Sequence, residues 1–152
     1  MNDHPTTRGD SRQHDEELDQ HDCLMLLASQ EVGRVAVVDG EQPLIFPVNY
    51  QVDGNTVVFR TDPGTKLQTA ALRRVAFEVD DFDAQSRKGW SVLVRGVGQE
   101  ITTAIDPRSE RMRTLPVQPW AHGTKRHWVR IVPTTITGRR VIASASGGEE
   151  SP

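Results

Sequence analysis

Pro43-Leu44-Ile45-Phe46-Pro47-Val48-Asn49-Tyr50-Gln51-Val52 alternates so regularly that its reading decides the fold. Successive side chains of an extended strand point to opposite faces. Leu44, Phe46, Val48, Tyr50 and Val52 therefore share one face, and Ile45, Pro47, Asn49 and Gln51 share the other. The first set predicts a surface turned to the core. The second set is mixed, and Pro47 in its middle has no N–H to give to a ladder, which places the strand at an edge or beside a bulge. Backbone groups left open there are able to meet a ligand, and Asn49 adds a donor and an acceptor on the same face. A solvated outer face interrupted by a bulge explains the same pattern.

Working outward, Asp39-Gly40 and Asp53-Gly54-Asn55 read as hairpin turns, so Arg34–Val38 and Thr56–Thr61 become flanking strands. Upstream, a helix is predicted over Asp19–Ser29, with Asp19 and Asp22 imitating a capping box and Gly33 breaking the run. Leu24, Leu27 and Ala28 form its apolar face, with Cys23 beside them as a small core residue. Downstream, Val75–Asp80, Trp90–Ile101 and Arg126–Arg139 supply further strands, and Gly96 and Gly98 mark a bend in the long one. Asp81–Gly89 reads as a polar connection whose acids lack a calcium-loop pattern, and Pro107–Thr114 as a short helix. Five or six strands with hairpin links and few helices predict a mainly β fold, a small closed or partly open barrel. Such a barrel often completes itself with a second copy, and homodimers are the commonest assembly.

The 152 residues fit one domain over 16–143, with polar tails at 1–15 and 144–152. A net charge of −3 argues against a nucleic-acid binder, and no apolar run is long enough for a membrane span. One cysteine, Cys23, fits a reducing compartment, so the expected place is the cytoplasm. His4, His14 and His21 follow no metal-ligand spacing, and no metal is expected.

Val57–Leu67, Val-Val-Phe-Arg-Thr-Asp-Pro-Gly-Thr-Lys-Leu, is the stretch closest to chemistry. It reads as a strand that opens through a tight turn into a helix running to about Arg74, with Asp62 as N-cap and Pro63 at the first helical position. Gly64, Thr65 and Lys66 then occupy the first turn, where free N–H groups, a hydroxyl and an ammonium converge. A phosphate suits that spot, because unpaired donors and the helix dipole favour an anion. A well-capped surface helix carrying a lysine is the plainer reading of the same residues.

Taken in order, Gly33-Arg34-Val35-Ala36-Val37, Pro43 to Tyr50, Phe59-Arg60-Thr61 with Gly64-Thr65-Lys66-Leu67, Ala76 to Asp80, Gly89-Trp90-Ser91-Val92, Trp128 to Pro133 and Thr137-Gly138-Arg139-Arg140 resemble the pyridoxamine 5'-phosphate oxidase-like family. Within it they are most similar to the branch that includes nitroimidazole-reductase-like proteins. The likeness spans roughly residues 18–142.

That resemblance implies a split β-barrel homodimer holding FMN between subunits. Pro47, Val48 and Asn49 would lie along the flavin ring, and Thr61, Thr65 and Lys66 would hold its phosphate. Trp90 and Ser91 would add flavin contacts, in some relatives from the partner chain. Trp120 would cover the pocket mouth, and Arg139 or Arg140 would balance phosphate charge. The implied activity is oxidoreduction of a small electrophilic or nitroaromatic molecule by hydride transfer from the flavin, with no catalytic side chain assigned. A non-catalytic flavin carrier or sensor is the alternative, as are the deazaflavin coenzyme or haem as ligand. Two departures separate this chain from vitamin-making oxidases. It lacks their basic carboxy-terminal region, and Leu67 stands where they place a second cation beside Lys66.

Overall fold

The computed structural model describes residues 15–62, 64, 73–101, 115–117, 119 and 127–142. In chain order it contains β1 (Asp15–Leu18), α1 (Gln20–Ala28), β2 (Val32–Asp39), β3 (Gln42–Asp53), β4 (Thr56–Thr61), β5 (Arg74–Asp83), β6 (Lys88–Ile101) and β7 (His127–Val141). The strands follow the order β1-β7-β4-β3-β2-β5-β6, and β6 returns to pair with β7. That last seam closes β2 to β7 into a six-stranded barrel, as the alternating pattern predicts. β1 lies outside the ring, paired with Gly138–Val141 at the far end of β7.

Alternation along β3 sorts as expected. Tyr50 is buried and Leu44, Phe46, Val48 and Val52 pack against the core, while Ile45 is 69% exposed. Val35, Val37, Val57, Phe59, Val75, Phe77, Val79, Val92, Val94, Val129 and Ile131 fill the barrel from the other strands. A second apolar cluster lies outside the wall, where Val58, Ile101 and Trp128 are joined by Val117. The bend foreseen at Gly96 is a register shift between Arg95 and Gly96 against β7. A Cβ at Gly96 would fall 2.3 Å from the Val132 carbonyl oxygen, so backbone meets backbone there.

α1 starts as its sequence asks. The Asp19 carboxylate accepts from the Asp22 N–H at 2.8 Å, which satisfies one of the helix's orphan donors. Cys23 and Leu27 are fully buried, and the Tyr50 hydroxyl donates to the Leu27 carbonyl, which ties the helix to β3. Burial, and then Asp19 and Asp22, push the Cys23 thiol up, away from the reactive thiolate. Ala28, expected on the apolar face, is exposed.

Several boundaries differ from the sequence reading. Gly33 does not break the helix, which ends at a Ser29 cap; it sits inside β2. A Cβ there would lie 2.3 Å from the Phe77 ring, so the missing side chain makes room for that ring. Arg74 opens β5 rather than closing a helix, and Asp81–Asp83 and Lys88–Gly89 extend the β5–β6 hairpin rather than forming a loop. β1 was not anticipated, since Asp-Glu-Glu-Leu carries a single apolar residue. The helix expected beyond Gly64, the one at Pro107–Thr114 and most of both tails lie outside the described residues.

Candidate functional site

β4 leaves β3 before β3 has run its length. The two pair from Asp53↔Thr56 to Tyr50↔Phe59, whereas β4 continues along β7 as far as Thr61↔His127. Beyond Tyr50↔Phe59 the two strands no longer pair, which leaves a wedge with Pro47 and Val48 of β3 on one side and the end of β4 at Thr61 on the other. The Tyr50 N–H donates to the Glu31 carbonyl at 3.2 Å, and hydrogen-bonded pairs alternate along an antiparallel ladder. Val48 therefore turns its backbone groups to β2, and Pro47 and Asn49 turn theirs to the wedge. The register with β2 is unbroken past Arg34↔Pro47, so Pro47 marks an edge and not a bulge. Its absent N–H costs the ladder nothing.

The wedge gathers part of the expected site. Pro47 is exposed, Val48 and Asn49 are half-buried, and the Asn49 amide donates to the Glu31 carbonyl at 3.4 Å. Thr61 is 4% exposed at the end of β4. Asp62 follows it, and then Gly64 at φ 76°, a left-handed turn residue. That value corrects one expectation: Gly64 cannot belong to the first turn of a helix, so the chain bends before any helix begins. Thr65, Lys66 and Trp120 lie outside the described residues.

Trp90, Ser91 and Arg139 stand elsewhere. Ser91 and Arg139 are register partners on β6 and β7, on the opposite side of the ring from β3. They line a groove of about 700 Å³ with Asp15, Glu17, Leu93 and Arg95, and Arg139 lies 3.9 Å from Asp15. Trp90 faces the other way, packed against the barrel core, because neighbours on a strand alternate. The described part of the chain thus does not bring these residues and the wedge together.

Two features near the wedge were missed in the sequence. The Arg60 guanidinium sits 5.0 Å above the Trp128 ring and donates to the Val117 carbonyl at 3.3 Å. His127 is half-buried with Nδ1 2.7 Å from a Glu100 oxygen. Only the β4–β7 and β6–β7 registers reveal these neighbours.

Between wedge and groove runs the barrel's outer face. Its rungs read Pro47–Arg34–Glu78–Leu93 and Ile45–Ala36–Ala76–Arg95. Ile45, Val38, Leu93 and Val97 are exposed on it. In its middle Arg34 lies 3.3 Å from Glu78 and 3.7 Å from Asp80. Burial first, then Asp80 beside it, push the Glu78 carboxyl up to about 7 from 4.5, against the pull of Arg34. Across that window the folded chain binds more protons than the unfolded one, so stability should fall as pH rises from about 4.5 to about 7. Urea midpoints taken at both ends test this. Glu78→Gln should flatten the difference, and an unchanged slope would count against Glu78 as its source.

Among the described residues no group of histidine, cysteine and carboxylates is arranged to hold a metal ion, and no helix is long and apolar enough to cross a membrane.

A barrel closed by β6 and β7 and split between β3 and β4 places the chain in a known class. The family model described as pyridoxamine 5'-phosphate oxidase matches residues 19–140, and the chain belongs to that family. It is 34% identical over 135 residues to the uncharacterized protein Rv0080 of Mycobacterium tuberculosis, covering 85% of this chain and 87% of the other. The structure of the FAD binding protein from Mycobacterium smegmatis superposes with a TM-score of 0.63 at 38% identity, over 84% of this chain and 98% of that one. A conserved protein of unknown function from Corynebacterium diphtheriae gives a TM-score of 0.68 at 32% identity, with the same coverage.

Proposed function

We propose that this protein is a flavin-binding oxidoreductase whose cofactor lies in the β3–β4 wedge. The observation that carries the reading is the end of the β3–β4 ladder at Tyr50↔Phe59, with the Pro47 backbone turned to the wedge on one side and Thr61 closing β4 on the other. Such an edge suits the polar rim of a flat ring, while Val48 and the core behind it supply an apolar wall. Thr65 and Lys66, which follow Gly64 in the sequence, offer donors for a terminal phosphate, which favours FMN. The relative from Mycobacterium smegmatis, described as an FAD binding protein, supports a flavin of either length.

A bound flavin would supply two-electron redox chemistry toward a small electrophilic or nitroaromatic substrate, with a reduced nicotinamide or deazaflavin as the reductant. The chain's part is to bind, orient and keep water from one face of the ring. Cys23, its one thiol, is buried against the core and is no nucleophile. The same buried thiol suits the reducing cytoplasm, where such a reductant is at hand.

The working unit in this reading is a homodimer. The outer face β3-β2-β5-β6 has the wedge at one end and Ser91 and Arg139 near the other. A second copy laid across it by a two-fold axis exchanges the ends, so each wedge meets its partner's groove. This explains why residues expected at one site stand on opposite walls, and the exposed Ile45, Val38, Leu93 and Val97 gain a cover.

Thermal shift with FMN, FAD, deazaflavin and haem side by side tests the proposal, with an absorbance scan of the purified protein. FMN at a hundred times its dissociation constant should add about 2.7 kcal/mol. Lys66→Ala should remove most of that gain. A colourless protein that no flavin stabilises overturns the reading. A Soret band without flavin binding replaces it with haem carriage, and flavin binding without bleaching by anaerobic NADPH removes the nicotinamide as donor.

A further inference from the structure

Arg34 and Glu78 are direct partners on neighbouring strands, in the middle of the rung Pro47–Arg34–Glu78–Leu93. Val35 and Val37 on β2 and Phe77 and Val79 on β5 fill the core, so Arg34, Glu78 and Asp80 face out. We propose that a second copy of this chain docks on that face through reciprocal Arg34–Glu78 contacts, across a two-fold axis that runs along the strands between β2 and β5. This rests on the homodimer reading and gives that dimer its register.

Symmetry carries the argument. In a two-fold seam, if one residue meets a second on the partner, the second meets the partner's copy of the first. An axis parallel to the strands keeps each rung opposite the same rung and reverses its order. Placed between β2 and β5, it sets Arg34 opposite the partner's Glu78 and Pro47 opposite the partner's Leu93. Placed on β2 it would set Arg34 against the partner's Arg34, and on β5 Glu78 against the partner's Glu78, like charges that repel. Between β5 and β6 it would bury Glu78 against the partner's Leu93 with no guanidinium opposite. Between β3 and β2 it would set Arg34 against the partner's Pro47. An axis across the strands would set β3 against the partner's β3, wedge to wedge. Only the position between β2 and β5 pairs opposite charges.

The side chains suit this contact. Those of Arg34 and Glu78 are 50% and 36% exposed. Arg34 Nη1 serves both carboxylates, at 3.3 Å to Glu78 and 3.7 Å to Asp80. A guanidinium has five N–H donors in a fixed fork, so a second carboxylate can be held by the others. Within one copy, burial and then Asp80 push the Glu78 carboxyl up to about 7 despite Arg34, and the partner's Arg34 would bring it a second cation. On the next rung Ala36 stands opposite the partner's Ala76, small enough for the walls to approach, and Ile45 opposite the stem of the partner's Arg95. Strands lie about 4.8 Å apart, so β3 and β6 fall about 7 Å to either side of the axis. There the convex walls diverge, which leaves a cleft for a flat ring between the wedge and the partner's groove.

Charge swaps in the full-length protein test the register, read by light scattering and native mass spectrometry. The wild type should be a dimer. Arg34→Glu alone and Glu78→Arg alone should each raise the dimer dissociation constant about a hundredfold or more, because like charges then face each other across the axis. Mixed or co-expressed, the two variants should form a heterodimer, in which each carboxylate at the axis again faces a guanidinium. Co-expression covers the case in which either variant folds poorly alone. Variants that each dimerise as tightly as the wild type overturn the inference; if Ile45→Lys then dissociates the wild-type dimer, the seam stands and only its register falls. Monomeric variants that stay monomeric when combined overturn it as well, since the charges then act within the subunit. A wild type that is monomeric with and without FMN overturns the inference and the homodimer reading together.

Discussion

Phe77→Ala should lower the unfolding free energy by about 3–5 kcal/mol, among the largest losses a single truncation gives. Phe77 is fully buried on β5, opposite Val35 of β2 and Val94 of β6. Its ring meets Tyr50 edge to face at 4.9 Å and 70°. Gly33 lies against it from β2, and a glycine has no side chain to fall into the space the ring would leave. The cavity would thus persist, and a persistent cavity sets the upper part of the range. Chemical denaturation of the variant measures the loss. Phe77→Leu should cost less, and Phe82→Ala, at a position 53% exposed, should stay within about 0.5 kcal/mol. A loss for Phe77→Ala near that of Phe82→Ala would mean the barrel does not centre on this ring.

The same ring shows where sequence reading ends. β3 was legible because one of its faces is buried and the other is not, so period-two alternation survives in the composition. The Gly40 and Gly54 turns, at φ 63° and 62°, and the Asp19 cap were legible because their chemistry is local. Gly33 was not. A glycine just after a helix reads as its stop, and the Phe77 ring that requires it lies 44 residues away. Asp81–Asp83 read as loop for a related reason: strand continuation there rests on ladder partners in β6, not on apolar side chains.

The candidate site divides in the same manner. Pro47 and Asn49 announced an edge through proline's missing donor, and the edge is present. Gly64, read as helical, is a left-handed turn, since Pro-Gly suits either a helix start or a turn and only the backbone angle decides. The separation of Ser91 and Arg139 from the wedge follows from strand order, which no local pattern encodes. The Glu100–His127 contact is likewise set by two registers at once.

Ile45→Lys should leave the folded subunit nearly as stable as before and yet dissociate the proposed dimer and weaken flavin binding at least tenfold. Ile45 is 69% exposed in the subunit, where a lysine meets water and costs within about 0.5 kcal/mol. In a two-fold seam over β3-β2-β5-β6 the substitution enters twice, once from each copy. Each ammonium then loses water with no carboxylate on its own rung, since that rung reads Ile45–Ala36–Ala76–Arg95 and already holds a guanidinium. An unpaired charge removed from water costs on the order of several kcal/mol, which exceeds what one apolar contact contributes. In the proposed dimer, loss of the partner's β6–β7 groove would uncover one face of the flavin ring while leaving the subunit's own wedge in place, so affinity should fall without vanishing. Light scattering and flavin titration of Ile45→Lys beside Phe82→Lys, a charge placed at the remote β5–β6 hairpin, distinguish a seam from a general charge effect. A dimer untouched by Ile45→Lys would place the contact between copies on another face, and a flavin bound tightly by a monomeric variant would make the wedge sufficient by itself.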